Sequence, residues 1–274
     1  MLDILIPLLV LSFVGALCAL LLVAATKYFA AEENEHLAAL RDCLPGANCG
    51  ACGFSGCDAY AKALAEGETE KIALCTPGGD KTAAALAALL GKEAEDVVEL
   101  VAFVSCGGTC DASGRKYDYR GTPSCASASA AFNGDRFCSF ACLGYGDCMK
   151  ACPQNAISLV GGIAKIEPLK CIGCGLCAKA CPKGIIHLVE DTTRVVVKCS
   201  NKNTGAEVRK ICSSGCIGCG KCEKNCPSGA ITLKDNLATI DYAKCTACGL
   251  CVELCPVHCL EEGSFLCGSR FFAE

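Results

Sequence analysis

Three stretches of this chain repeat one cysteine spacing. Cys171, Cys174, Cys177 and Cys181-Pro182 read C-x2-C-x2-C-x3-C-P, and Cys216/Cys219/Cys222/Cys226-Pro227 and Cys245/Cys248/Cys251/Cys255-Pro256 repeat it. Thiolates are soft ligands, and three of them two residues apart can wrap one face of an iron–sulfur cubane. The fourth, before proline, reaches across to a second cluster. Zinc competes, but structural zinc sites take two C-x2-4-C halves with a longer spacer and lack the third thiol and the C-P. The cross rule predicts three ligand sets: Cys171, Cys174, Cys177 with Cys152; Cys245, Cys248, Cys251 with Cys226; and Cys216, Cys219, Cys222 with Cys255.

A fourth run departs from the pattern, because Tyr145 stands where Cys219 stands in its counterpart. Its set holds Cys142, Cys148 and Cys181; Cys138 is the nearest substitute ligand, and a three-iron cluster is the alternative. Farther upstream Cys49, Cys52, Cys57 and Cys75 are spaced C-x2-C-x4-C-x17-C. Gly50, Gly53 and Gly56 let backbone N–H groups approach cluster sulfurs and permit positive φ. Zinc competes more seriously here.

The runs belong to an internal repeat. Nine cysteines recur at one offset of 74 residues, from Cys125, Cys138 and Cys142 (onto Cys199, Cys212 and Cys216) through Cys181 (onto Cys255). The elements around them are short. Ala156–Val160 and Ile163–Ile166 flank Gly161-Gly162, and Ala230–Leu233 and Ala238–Ile240 flank Asp235-Asn236, both hairpin signals. Such strands cannot make an independent core, so the clusters must hold much of the fold. Asp58–Glu66 is helical in composition; the Ala-rich Lys81–Leu100 segment reads as a solvated helical linker.

Cysteine makes up 29 of 274 residues, a share normal for small secreted disulfide scaffolds. The amino terminus argues otherwise. Ile4 to Thr26 carries no charge, and its 23 residues as a helix span about 34 Å, enough to cross a bilayer. Lys27, Arg41 and Lys62 follow while only Asp3 precedes, which orients the body to the cytoplasm, where thiols stay reduced. The leader lacks the basic n-region of a signal peptide. A net charge of −4 argues against a nucleic-acid surface, which would show basic clustering.

The fold class expected is α+β, with an N-terminal transmembrane helix, a small helical iron–sulfur domain and tandem two-cluster bacterial-ferredoxin-like domains. The divisions are 1–27 (anchor), 28–92 (amino-terminal 4Fe-4S domain), 93–137 (cysteine-containing connector), 138–198 (ferredoxin-like domain 1) and 199–274 (ferredoxin-like domain 2). At least five 4Fe-4S clusters follow. Cys106, Cys110 and Cys125, with Cys138, offer a sixth in spacing C-x3-C-x14-C-x12-C, and Cys199, Cys212, Cys259 and Cys267 a seventh. Cys43 is a spare thiol, and His36, His187 and His258 are isolated. Gly144-Tyr145-Gly146 lacks the third glycine of a phosphate loop, and no nucleotide fingerprint or acid–base constellation is found.

The leading apolar helix, the Cys49-to-Cys75 segment and the duplicated ferredoxin region together resemble the B subunit of the Rnf complex, in its longer form. The resemblance covers nearly the whole chain. It implies a subunit of a membrane-bound, ion-translocating ferredoxin:NAD oxidoreductase, with no complete catalytic site of its own. Single electrons would pass from reduced ferredoxin to flavin-containing and membrane subunits, with sodium or proton transport coupled elsewhere. Membrane lipid would contact residues 4–26. Lys198, Lys202, Arg209 and Lys210 are a candidate basic patch for an acidic ferredoxin.

Overall fold

The computed structural model describes residues 12–24, 35–94, 96–193 and 195–263. Residues 12–24 form a helix, α1, whose Phe13, Leu20, Leu21, Leu22 and Val23 are all more than half exposed. The rest of the expected 4–26 span lies outside the described residues. Among the described residues no helix is long and apolar enough to cross a membrane.

Three helices follow: α2 (Glu35–Asp42), α3 (Cys57–Ala65) and α4 (Gly79–Leu90). They enclose an apolar core of Leu40, Tyr60, Leu64, Ile72 and Leu86, into which Cys57 and Cys75 also project. The α4 segment is therefore no solvated linker. Thr82, Ala83, Leu86 and Ala87 recur at helical spacing and are buried, and left-handed Gly91 stops the helix. Beyond it the chain is extended into β1 (Leu100–Val104).

The remainder is built twice. Strands β2 (Ile157–Val160) and β3 (Ile163–Ile166) pair antiparallel with Ile157 opposite Ile166. Strands β6 (Ile231–Lys234) and β7 (Leu237–Ile240) do the same with Ile231 opposite Ile240. Both two-residue turns, Gly161-Gly162 and Asp235-Asn236, have positive φ, as the twist of a tight hairpin requires. The turns also meet their cluster loops. A Cβ on Gly144 would stand 2.3 Å from the Gly162 carbonyl oxygen, and one on Gly218 would stand 2.9 Å from that of Asn236. Each pair is related by the 74-residue offset, so only glycine lets loop and hairpin close in both halves.

The other two pairings cross the expected boundaries. Strand β1 of the connector pairs with β4 (Ile186–Glu190), placing Phe103 opposite His187. Strand β5 (Val195–Val197), expected in the first ferredoxin unit, pairs with β8 (Leu260–Glu262) at the end of the second. Phe103, Val189 and Val196 form a small core between these pairs. All four sheets are two-stranded, and cysteines fill the centres of the cores they flank.

Candidate iron–sulfur centres

Each cluster loop ends in one helical turn: α6 (Asp147–Lys150), α7 (Leu176–Ala180), α9 (Lys221–Lys224) and α10 (Leu250–Glu253). A left-handed glycine precedes every one, namely Gly146, Gly175, Gly220 and Gly249. The turn aims the third cysteine inward from its second position. The cysteine after the turn precedes a proline, which cannot continue a helix and sends the thiol to the other side.

Cys152, Cys171, Cys174 and Cys177 line one pocket. Cys251 lies within electrostatic reach of Cys245, Cys248 and Cys226, and Cys222 within reach of Cys216 and Cys219. Cys255 packs with Cys216 and Cys222 in the same core. At the amino terminus Cys75 is surrounded by Cys57, Cys52 and Cys49. There Gly50 and Gly53 have positive φ but Gly56 does not. What Gly56 provides is room: a Cβ on it would lie 2.9 Å from Asn48 Oδ1, which accepts the Cys57 N–H at 2.8 Å.

At the run interrupted by Tyr145 a cysteine from outside the motif joins the others. Cys125, Cys142, Cys148 and Cys181 line a second pocket. Cys125 opens α5 (Cys125–Ala130), and Asp147 fixes that end by accepting the Ala126 N–H at 3.0 Å and the Ser124 hydroxyl at 2.8 Å. Cys138, the substitute expected from nearness in sequence, instead faces Cys106, Cys199 and Cys212. The expected Cys106/Cys110/Cys125/Cys138 grouping does not assemble. Cys110 is exposed beside the Gly161-Gly162 turn, where Arg136 Nη2 donates to its sulfur at 3.6 Å. Cys43 packs against the amino-terminal core, and Cys267 lies outside the described residues.

Tyr145 has acquired another role. Its hydroxyl donates to Asp135 at 2.8 Å and accepts from Arg115 at 3.0 Å, and Arg115 also pairs with Asp135. Asp135 is fully buried, and losing the tyrosine hydroxyl removes one of the two side-chain donors that its Oδ2 has among the described residues. Tyr145→Phe is expected to cost about 1–2 kcal/mol and lower the melting temperature of the anaerobic protein. An unchanged melting temperature would remove this assignment.

The chemistry of these sites fits iron–sulfur ligation. Among the described residues no three His, Cys, Asp or Glu side chains converge on a point that one metal ion could occupy. Backbone N–H groups point at the pocket-lining sulfurs: Ala102 to Cys171 at 3.5 Å, Ala156 to Cys152 at 3.4 Å, Ala164 to Cys142 at 3.4 Å and Cys259 to Cys255 at 3.3 Å. Such donors stabilise thiolates and tune a cluster's potential. Burial and neighbouring sulfurs push the free thiols the other way, Cys177 up to about 11 and Cys148 up to about 12. A cationic cluster core would supply the compensating charge. Not every thiol is raised: a hydrogen bond with the Cys259 thiol, burial notwithstanding, brings Cys216 down to about 6 and Cys199 down to about 7.

The candidate basic patch is partly neutralised. Lys198 pairs with Glu261 at 3.5 Å and Lys202 with Asp235 at 3.2 Å, while Arg209 and Lys210 end helix α8 (Gly205–Ile211). His187 lies on the exposed side of β4, and desolvation lowers its pKa.

Comparison with known proteins fits this arrangement. Residues 141–185 and 215–259 each match a family described as a 4Fe-4S dicluster domain, the two matches lying one repeat apart. A second 4Fe-4S dicluster family spans residues 170–231, and residues 44–77 match a putative Fe-S cluster family. The fold and sites thus define an iron–sulfur protein with tandem dicluster ferredoxin domains. The chain is 42% identical to the B subunit of the Na(+)-translocating ferredoxin:NAD(+) oxidoreductase complex of Acetobacterium woodii, over 94% of this chain and 77% of that protein. It is 40% identical to the B subunit of the proton-translocating ferredoxin:NAD(+) oxidoreductase complex of Clostridium ljungdahlii, over 93% and 90%. To the B subunit of the ion-translocating oxidoreductase complex of Methanosarcina acetivorans it is 39% identical, over 92% and 96%. The chain belongs to this family, the electron-transfer B subunits of Rnf-type ion-translocating ferredoxin:NAD(+) oxidoreductases.

Proposed function

We propose that this subunit takes single electrons from reduced ferredoxin and delivers them to flavin-containing and membrane subunits of the complex. Five ligand sets hold the 4Fe-4S clusters: Cys49/Cys52/Cys57/Cys75, Cys152/Cys171/Cys174/Cys177, Cys125/Cys142/Cys148/Cys181, Cys216/Cys219/Cys222/Cys255 and Cys226/Cys245/Cys248/Cys251. When bound, the clusters supply one-electron redox chemistry; the chain supplies spacing, hydrogen bonds and exclusion of water.

The observation that carries the reading is the contiguity of the sets. Cys49 of the amino-terminal set is within electrostatic reach of Cys174, and Lys179 beside it donates to the Cys49 carbonyl at 3.0 Å. Cys177 in turn is within reach of Cys148. Residues 4–26 act as a single-pass anchor, supported by the exposed apolar face of α1, and the basic residues that follow orient the cluster domains to the cytoplasm. Loading five clusters lowers the net charge of −4 by roughly 10, so an acidic ferredoxin needs a local basic contact such as Arg209 and Lys210.

Anaerobic mixing of the purified chain with reduced ferredoxin tests the reading. Rapid bleaching of cluster absorbance, on a protein holding at least about twenty irons, is expected. Zinc in place of iron, or an iron-loaded chain that takes no electrons from ferredoxin, would overturn it.

A further inference from the structure

Four cysteines outside the five sets converge in the seam between the ferredoxin halves. Cys106, Cys138, Cys199 and Cys212 line one pocket, as the Cys152 and Cys125 sets each line theirs. Every pair among the four is within electrostatic reach. Cys106 comes from the connector, Cys138 from the first repeat, and Cys199 and Cys212 from the second, so no local motif announces them.

The cavity is furnished for thiolates. Cys106 Sγ accepts the Cys142 N–H at 3.4 Å, and Cys138 Sγ accepts Asn201 Nδ2 at 3.3 Å. Cys199 Sγ accepts the Asn201 N–H at 3.4 Å and that of Cys216. Cys212 Sγ accepts N–H groups of Ser214 and Gly215. A neutral thiol is a weak acceptor, whereas a ligating thiolate uses such donors fully. Asn201 is almost fully buried and gives both its backbone and its side-chain N–H to this site. Gly108 borders two of the sulfurs: a Cβ built on it would stand 3.5 Å from Cys212 Sγ and 3.6 Å from Cys106 Sγ, ordinary contact distances. The Ser113 hydroxyl on the cavity wall is buried without a hydrogen-bond partner.

We propose that Cys106, Cys138, Cys199 and Cys212 ligate a further [4Fe-4S] cluster that joins the two ferredoxin halves. The inference rests on the five-set reading above and extends it. Binding releases four thiol protons and leaves a site of net charge about −2. One electron enters and one leaves, so no other reactant is required. Its place in the chain gives it purpose. Cys106 meets the Cys142 set through the Cys142 N–H, and Cys199 meets the Cys216 set through the Cys216 N–H. Cys142 and Cys216 are equivalent residues of the two repeats. Cys259 is hydrogen-bonded to both Cys199 and Cys216, a second bridge between these sites. Without the seam site, the string of sets is interrupted between the halves.

Native mass spectrometry of the anaerobically purified full chain, with iron and acid-labile sulfide analysis, tests this. About twenty-four irons are expected, falling to about twenty in Cys138→Ala/Cys212→Ala and staying at about twenty-four in Cys110→Ala. The wild-type count stands alone should the double variant fold poorly. A wild-type count of about twenty, or a double variant that keeps its full complement, would overturn the seam site while leaving the five sets intact. About twenty-two irons would overturn its assignment as a cubane. Zinc throughout would overturn both readings.

Discussion

Cys125→Ala is expected to lower the iron content by about four per chain, or by about one if a three-iron core survives on Cys142, Cys148 and Cys181. The reason lies in the local geometry. Tyr145 has withdrawn into the Arg115–Asp135 pair, and the cavity it leaves faces α5, whose first residue is Cys125. Asp147, next to the ligand Cys148, accepts hydrogen bonds at the start of α5 and so couples the two segments. Burial alone would raise the pKa of Asp147, but these donors more than offset it, and it stays below the ordinary carboxylate range. Iron analysis and EPR of the oxidised variant read out the two forms of loss. A full iron count in Cys125→Ala would remove it from the ligand set.

Anaerobic chelation of the iron is expected to abolish hydrogen-exchange protection across β2–β3 and β6–β7 while leaving part of it in α3 and α4. The sheets have two strands of three to five residues each, and isolated two-stranded hairpins are marginal in water. Cysteine supplies a substantial share of their buried cores: Cys106, Cys138, Cys142, Cys148 and Cys177 lie in one, and Cys216, Cys222, Cys255 and Cys259 in the other. Stripped of iron, these thiols surround cavities and several are pushed up to about 11 or 12, so cluster binding energy is folding energy. The amino-terminal helices differ in degree, because Leu40, Tyr60, Leu64, Ile72 and Leu86 add large apolar side chains to the core that Cys57 and Cys75 share. Unchanged protection of both hairpins after chelation would sink the argument.

The particular cysteines show how much was legible. The two repeats, their hairpins, the cross-ligating runs and the Cys49-to-Cys75 group are local features, and local spacing is what a sequence displays. Turn chemistry at Gly161-Gly162 and Asp235-Asn236 belongs to the same class. The expected solvated linker went wrong because burial of Leu86 and Ala87 depends on partners in α2 and α3, which composition does not reveal. Nearness in sequence favoured Cys138 over Cys125 for the broken motif, and it misled for a related reason: the segment 125–142 bends so that its more distant cysteine returns. A hint was nonetheless present, since the leftover Cys125 and Cys138 recur as Cys199 and Cys212 at the repeat offset.

What the amino-acid sequence determined by itself is the chemistry: thiolate ligation of several iron–sulfur clusters in a duplicated frame, because three-residue spacing on one short turn is enough to bring thiols together. Which thiols share a site across long separations was decided only by tertiary structure. Cys125 reaches Cys142, and Cys106 reaches Cys199, through pairings of β1 with β4, of β5 with β8, and of the connector with the second repeat, where the Ser213 N–H donates to the Ala112 carbonyl at 3.0 Å. Those contacts close loops of tens of residues, and their geometry depends on the packing of both halves at once.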